Sequence, residues 1–215
     1  MNPDYWKKRW NEGKIGFHQA NANPLLVQHL DRLELESGSR VFVPLCGKTT
    51  DIAWLLAQGF QVVGIELSEI AVQDLFADLQ LSPTIIETQG LLGYSAPKIE
   101  VFVGDIFHLD RGTLGTIDAV YDRAALVALP EDMRKRYCSH LSEITDGAPQ
   151  LLITYEYDQK LFEGPPFSIS QGLLEAYYSR VYNIDHFESK TVKGGIRANC
   201  PATENLWKLT PAGTD

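Results

Sequence analysis

Between residues 40 and 157, short apolar runs alternate with longer stretches whose apolar positions recur every three or four residues. RVFVPL, QVVGIE, IEVFVGD, IDAVYD and QLLITYEY read as buried strands: each is short, nearly continuous in Val, Ile, Leu or Tyr, and bounded by turn residues. TTDIAWLLAQG, SEIAVQDLFADLQ, AALVAL and PEDMRKRYCSHLSEI read as the helices between them. Strands of this kind joined through helices imply a parallel sheet covered on both faces. Upstream, Asp4 to Glu12 puts Tyr5, Trp6, Arg9 and Trp10 at helical spacing. A second helix is predicted from Asn23 as N-cap, with Pro24 in its first turn, through PLLVQHLDRL. Past Arg180, VYNIDHFES and ENLWKLT can pair as an antiparallel hairpin at the sheet edge. The pattern predicts an α/β doubly wound fold, with 1–215 as a single domain.

Composition narrows this picture only a little. The 215 residues are 44% hydrophobic and carry a net charge of −9. That is enough apolar material for one full core, and the acidic balance argues against a nucleic-acid or anionic-membrane surface. The three cysteines, Cys46, Cys138 and Cys200, are far apart, so neither a disulfide framework nor a zinc site is expected. The N-terminus lacks a signal-peptide core and no run approaches a membrane span. A cytoplasmic protein, monomeric and without a metal, is expected.

GKTT after the first strand invites a nucleoside-triphosphate reading. The phosphate-binding loop needs a glycine five residues before its Gly-Lys pair, and Phe42 stands there. In doubly wound sheets ligands bind beyond the carboxyl ends of the strands. Four places qualify: PLCGKTT, Glu66 ending the second strand, GDIF after the third, and YDRAAL after the fourth. Glu66 lies 21 positions past Leu45, the spacing at which such folds use an acid to hold ribose hydroxyls; the alternative is a capping or solvated glutamate before Ser68. Asp105 with Ile106 can read and face an adenine ring, or be a turn. Asp122 and Arg123 stand nearest the reacting atoms. The Trp6/Trp10 stripe is a lid or ordinary packing, and EGPPF is a rigid turn that can form the opposite wall.

Taken in order, W…GKIGFHQ, RVFVPLCGKTTDIAWLLAQGFQVVGIELS, IFHL, YDRAALVAL and GPPF resemble the bacterial-type thiopurine S-methyltransferases. These are class I S-adenosylmethionine-dependent methyltransferases. The resemblance implies a Rossmann-like, mostly parallel seven-stranded sheet with the antiparallel C-terminal hairpin, and a helical lid in residues 1–35. It implies S-adenosylmethionine as cofactor, leaving as S-adenosylhomocysteine. Cofactor contacts fall on Trp10, Leu45, Glu66 and Arg123, with Trp6 and Ile106 in addition, and PLCGK cradles the amino-acid end. Phe17 and Arg197 fall to a small thiol substrate, and Arg123 with Asp122 are the catalytic candidates. The expected acceptors are aromatic or heteroaromatic thiols, with selenium and tellurium species equally suited to a soft-nucleophile site. Two competing readings are a nicotinamide oxidoreductase, against which the missing G-x-G-x-x-G counts, and a Mg-dependent O-methyltransferase drawing on the strand-end aspartates.

Overall fold

The computed structural model describes residues 3–14, 18–196 and 200–213. Its contacts divide the chain into two compact units, Met1–Ala119 and Val120–Asp215. In the first, α1 (Pro3–Asn11), α2 (Pro24–His29) and a 3-10 turn (Leu30–Leu33) precede β1 (Arg40–Pro44). There follow α3 (Thr50–Ala57), β2 (Gln61–Glu66), α4 (Glu69–Asp78), β3 (Thr84–Thr88), β4 (Leu91–Ala96), β5 (Ile99–Val103) and α5 (Arg111–Leu114). β1, β2 and β5 are parallel neighbours, while β3, β4 and β5 run as an antiparallel meander. Apart from half-buried Val103, the Val, Phe and Ile side chains of β1, β2 and β5 are almost wholly buried, as expected of strands covered on both faces.

The second unit begins within β6 (Ala119–Arg123), at Val120, and continues through α6 (Glu131–Ile144), β7 (Gln150–Glu156), α7 (Gln171–Tyr178), β8 (Tyr182–Thr191) and β9 (Thr203–Pro211). β6 and β7 are parallel, and β7, β9 and β8 are successively antiparallel. The C-terminal hairpin is therefore as the sequence predicts, with β8 outermost.

Three features depart from expectation. The described residues carry nine strands rather than seven. The extra β3–β4 hairpin turns through Gln89 and Gly90, both at positive φ (50° and 80°), the signature of a tight two-residue turn. AALVAL yields only a 3-10 turn, Leu126–Ala128. Ala124 lies at φ 68°, and a left-handed residue stops a helix from continuing out of β6. α7 is a further helix beyond those the sequence pattern predicts, and its N-cap is the Ser170 side chain accepting the Leu173 N–H. Among the described residues no helix is long and apolar enough to cross a membrane.

Candidate cofactor site

In the first unit the carboxyl ends of β1, β2 and β5 lie side by side, and the turns that leave them are tied together. After β1 the chain takes Leu45 at φ 48° and Gly47 at φ 51°. The Gly47 N–H donates to Glu66 Oε2 at 2.9 Å, and the Ser68 N–H donates to Glu66 Oε1 at 2.9 Å. After β5, the Gly104 N–H donates to the Glu66 carbonyl at 2.9 Å. Glycine is required at residue 104: at φ 154°, an added Cβ would come within 2.2 Å of Leu91 Cδ2. Asp105 then caps the next turn by accepting the Phe107 N–H at 3.0 Å, and Ile106 is buried behind it.

Glu66 is the chemical centre of this arrangement. It is 6% exposed and meets backbone N–H groups rather than a cation. Burial pushes its carboxyl above the usual carboxylate range, while the N–H groups of Ser68, Gly47 and Leu67 pull it back. An ionised carboxylate accepts about four hydrogen bonds, so capacity remains for a hydroxyl donor. The residues present thus fit the ribose of a nucleoside cofactor: a buried acceptor, a glycine turn without side chain, and apolar Ile106 beside Asp105.

Trp10 reaches this turn from α1. Its indole lies where a side chain on Gly47 would go, 2.9 Å from an ideal Cβ there, and it is 6% exposed. Trp6 is half-buried and meets Tyr5 edge-on at 5.2 Å. The N-terminal segment is anchored nearby: Asn23 N–H donates to buried Asp51 at 2.7 Å, and Thr50 Oγ1 donates to the Gln19 carbonyl at 3.3 Å. Asn23 caps α2 through its side chain, as predicted. Lys48 answers the question raised by GKTT. Its Nζ sits 3.2 Å from Asp78 and 3.4 Å from Asp74 on α4, so it is committed to structure rather than to a phosphate.

In the second unit Arg123 ends β6, opposite Ile153 of β7, and its charge bears on half-buried Tyr155. Asp122 beside it is fully buried. Its Oδ2 accepts from Tyr137 Oη at 2.7 Å and its Oδ1 from the Leu126 N–H at 3.2 Å. Burial pushes Asp122 up to about 6, against the pull of Tyr137 and of the Leu126 and Ala125 N–H groups. Sequence reasoning missed Tyr137, because nothing in the periodicity of α6 distinguishes a partner from a core tyrosine. Phe17 and Arg197, the two acceptor-side expectations, lie outside the described residues. No group of three or more His, Cys, Asp or Glu able to hold a metal occurs among the described residues.

Solved structures set the class. A methyltransferase from Anabaena variabilis superposes with a TM-score of 0.66 at 17% identity, covering 97% of this chain and 95% of that one. The 1,6-didemethyltoxoflavin-N1-methyltransferase of Burkholderia thailandensis, solved with S-adenosylhomocysteine, gives 0.65 at 15% identity, covering 97% and 87%. The fold is that of the class I S-adenosylmethionine-dependent methyltransferases. A family model described as Thiopurine S-methyltransferase (TPMT) matches residues 1–202. Curated relatives of that name include those of Xanthobacter autotrophicus, 51% identical over 99% of this chain and 100% of the relative, and Gluconobacter oxydans, 47% identical over 98% and 96%. The chain belongs to the thiopurine S-methyltransferase family. It is an S-adenosylmethionine-dependent S-methyltransferase, and the oxidoreductase and Mg-dependent O-methyltransferase readings fall away.

Proposed function

We propose that the enzyme methylates the sulfur of aromatic and heteroaromatic thiols, thiopurines among them, and that softer selenium and tellurium nucleophiles are also acceptors. The observation that carries the cofactor half of this reading is Glu66, whose carboxylate joins the turns after β1 and β2. We assign it the ribose hydroxyls, with Leu45 and Trp10 around the amino-acid end, and Trp6 and Ile106 as further contacts. When bound, S-adenosylmethionine supplies a methyl group on a positively charged sulfur.

The chain's own task is alignment and the exclusion of water. Holding donor and acceptor in line supplies roughly 7–11 kcal/mol in favourable cases. Union of a thiolate with a sulfonium removes two opposite charges, so a dry aromatic surrounding favours the reaction. We assign the segment 1–35 to a lid, anchored through Trp10, and Phe17 to contact with the acceptor. Arg123 contacts the cofactor side and favours the ionised thiol, since a nearby positive charge lowers a thiol pKa; Arg197 gives a second positive contact. For Asp122 we propose a positioning role: a carboxylate turned inward onto Tyr137 and Leu126 holds the turn that presents Arg123.

The family model runs through both units, which supports treating 1–215 as one methyltransferase domain. We further propose a cytoplasmic monomer with no nucleic-acid partner; three free, buried cysteines and the net charge of −9 support this. A labelled-methyl transfer screen across aryl thiol, selenol, phenol and amine acceptors tests the proposal. Transfer to thiols and selenols is expected; transfer to phenols or amines alone would overturn it.

A further inference from the structure

Arg134, in the opening turns of α6, is a buried guanidinium with part of its donor set unused. The residue is 5% exposed. Its Nε donates to the Leu129 carbonyl at 2.8 Å and its Cζ lies 5.0 Å from the centre of the Phe167 ring. That ring is itself clamped. The Phe167 N–H donates to the Val127 carbonyl at 2.7 Å, and a Cβ on Gly164 would come within 2.6 Å of the ring. The Nη1 and Nη2 groups make no hydrogen bond or ion pair among the described residues. Neither is among the side-chain atoms sealed from solvent without a partner, so both can be reached by a ligand from outside.

Arg134 lines a cavity of about 430 Å³ together with Phe167, Leu173, Ser170, Glu131 and Glu163. Glu131 and Glu163 are exposed at its rim. Glu131 precedes Arg134 by three residues on α6, a spacing that puts both on one face, yet they form no ion pair because the guanidinium is held against Leu129 and Phe167. The fork of a guanidinium suits a carboxylate approached in its plane. Two carboxylates at the mouth disfavour a bare anion, and Arg134 disfavours a bare cation. A ligand carrying both charges close together satisfies all three groups.

We propose that this cavity binds a small zwitterion of the α-amino-acid class. The ligand carboxylate meets the free edge of Arg134, its ammonium group meets Glu131 and Glu163, and an apolar side chain lies against Phe167 and Leu173. This assignment is independent of the methyl-transfer reading.

The test is an NMR titration of the full chain near neutral pH, following the Arg134 Nε–H and Phe167 signals. The probes are L-leucine, isocaproate (no ammonium) and isopentylamine (no carboxylate). L-Leucine is expected to saturate both signals, and each analogue to bind at least about tenfold more weakly, the loss of one charged hydrogen-bonding pair. Glu131→Gln with Glu163→Gln, at exposed positions that leave the fold undisturbed, should weaken L-leucine by a similar factor while not weakening isocaproate. Equal binding of isocaproate and L-leucine, an unchanged affinity in the double variant, or no response at Arg134 to L-leucine would each overturn the assignment.

Discussion

Glu66 shows how one side chain can tie two turns together. The structure gives it two backbone partners at 2.9 Å in separate turns, so it caps Ser68, and the proposed ribose contact draws on its remaining acceptor capacity. Glu66→Ala should weaken S-adenosylhomocysteine binding by at least about tenfold, as expected for losing a buried charged acceptor, with little change in the KM for thiol. Calorimetry and steady-state kinetics separate the two effects. Arg123→Ala should lose rate near neutral pH and recover part of it at higher pH, where the thiol ionises unaided. An unchanged pH–rate profile would remove the arginine from that role. The destination of Lys48 was not legible in the sequence: spacing excluded a phosphate loop, but only the fold brings Asp74 and Asp78 to its ammonium group.

Among elements, the parallel strands β1, β2, β5, β6 and β7 could be read directly, since burial on both faces writes a continuous apolar run. The β3–β4 hairpin could not. β3 is largely exposed, with Ile85 and Ile86 open to solvent, so it carries no core pattern, and Gln-Gly is a weaker turn signal than Asn-Gly. The turn after β6 was misread for a related reason. AALVAL has helical composition, but Ala124 lies at φ 68° inside a local turn that the Asp122 carboxylate closes by accepting the Leu126 N–H. Relief of that left-handed conformation gives a clean test. Ala124→Gly should stabilise the fold by about 0.5–1 kcal/mol in urea unfolding, the steric cost of an L-residue there less the added chain entropy of glycine. Loss of stability would mean that the Ala124 methyl group packs usefully.

For the whole molecule, buried acids set how stability follows pH. Asp122, pushed up to about 6, binds more protons folded than unfolded between the ordinary carboxylate value near 4 and that point. Its contribution is therefore full below about pH 4 and is lost as pH rises through about 6. Glu66 is raised as well and acts in the same direction, so the informative quantity is a difference. The unfolding free energy of the wild type minus that of Asp122→Asn should decline across this window and be flat above it, as read from urea titrations at several pH values. Since the Trp10 indole fills the space a side chain at residue 47 would need, the two positions behave as one heritable character. A lineage that keeps the indole is confined to glycine, and one that enlarges the turn must first shed the tryptophan.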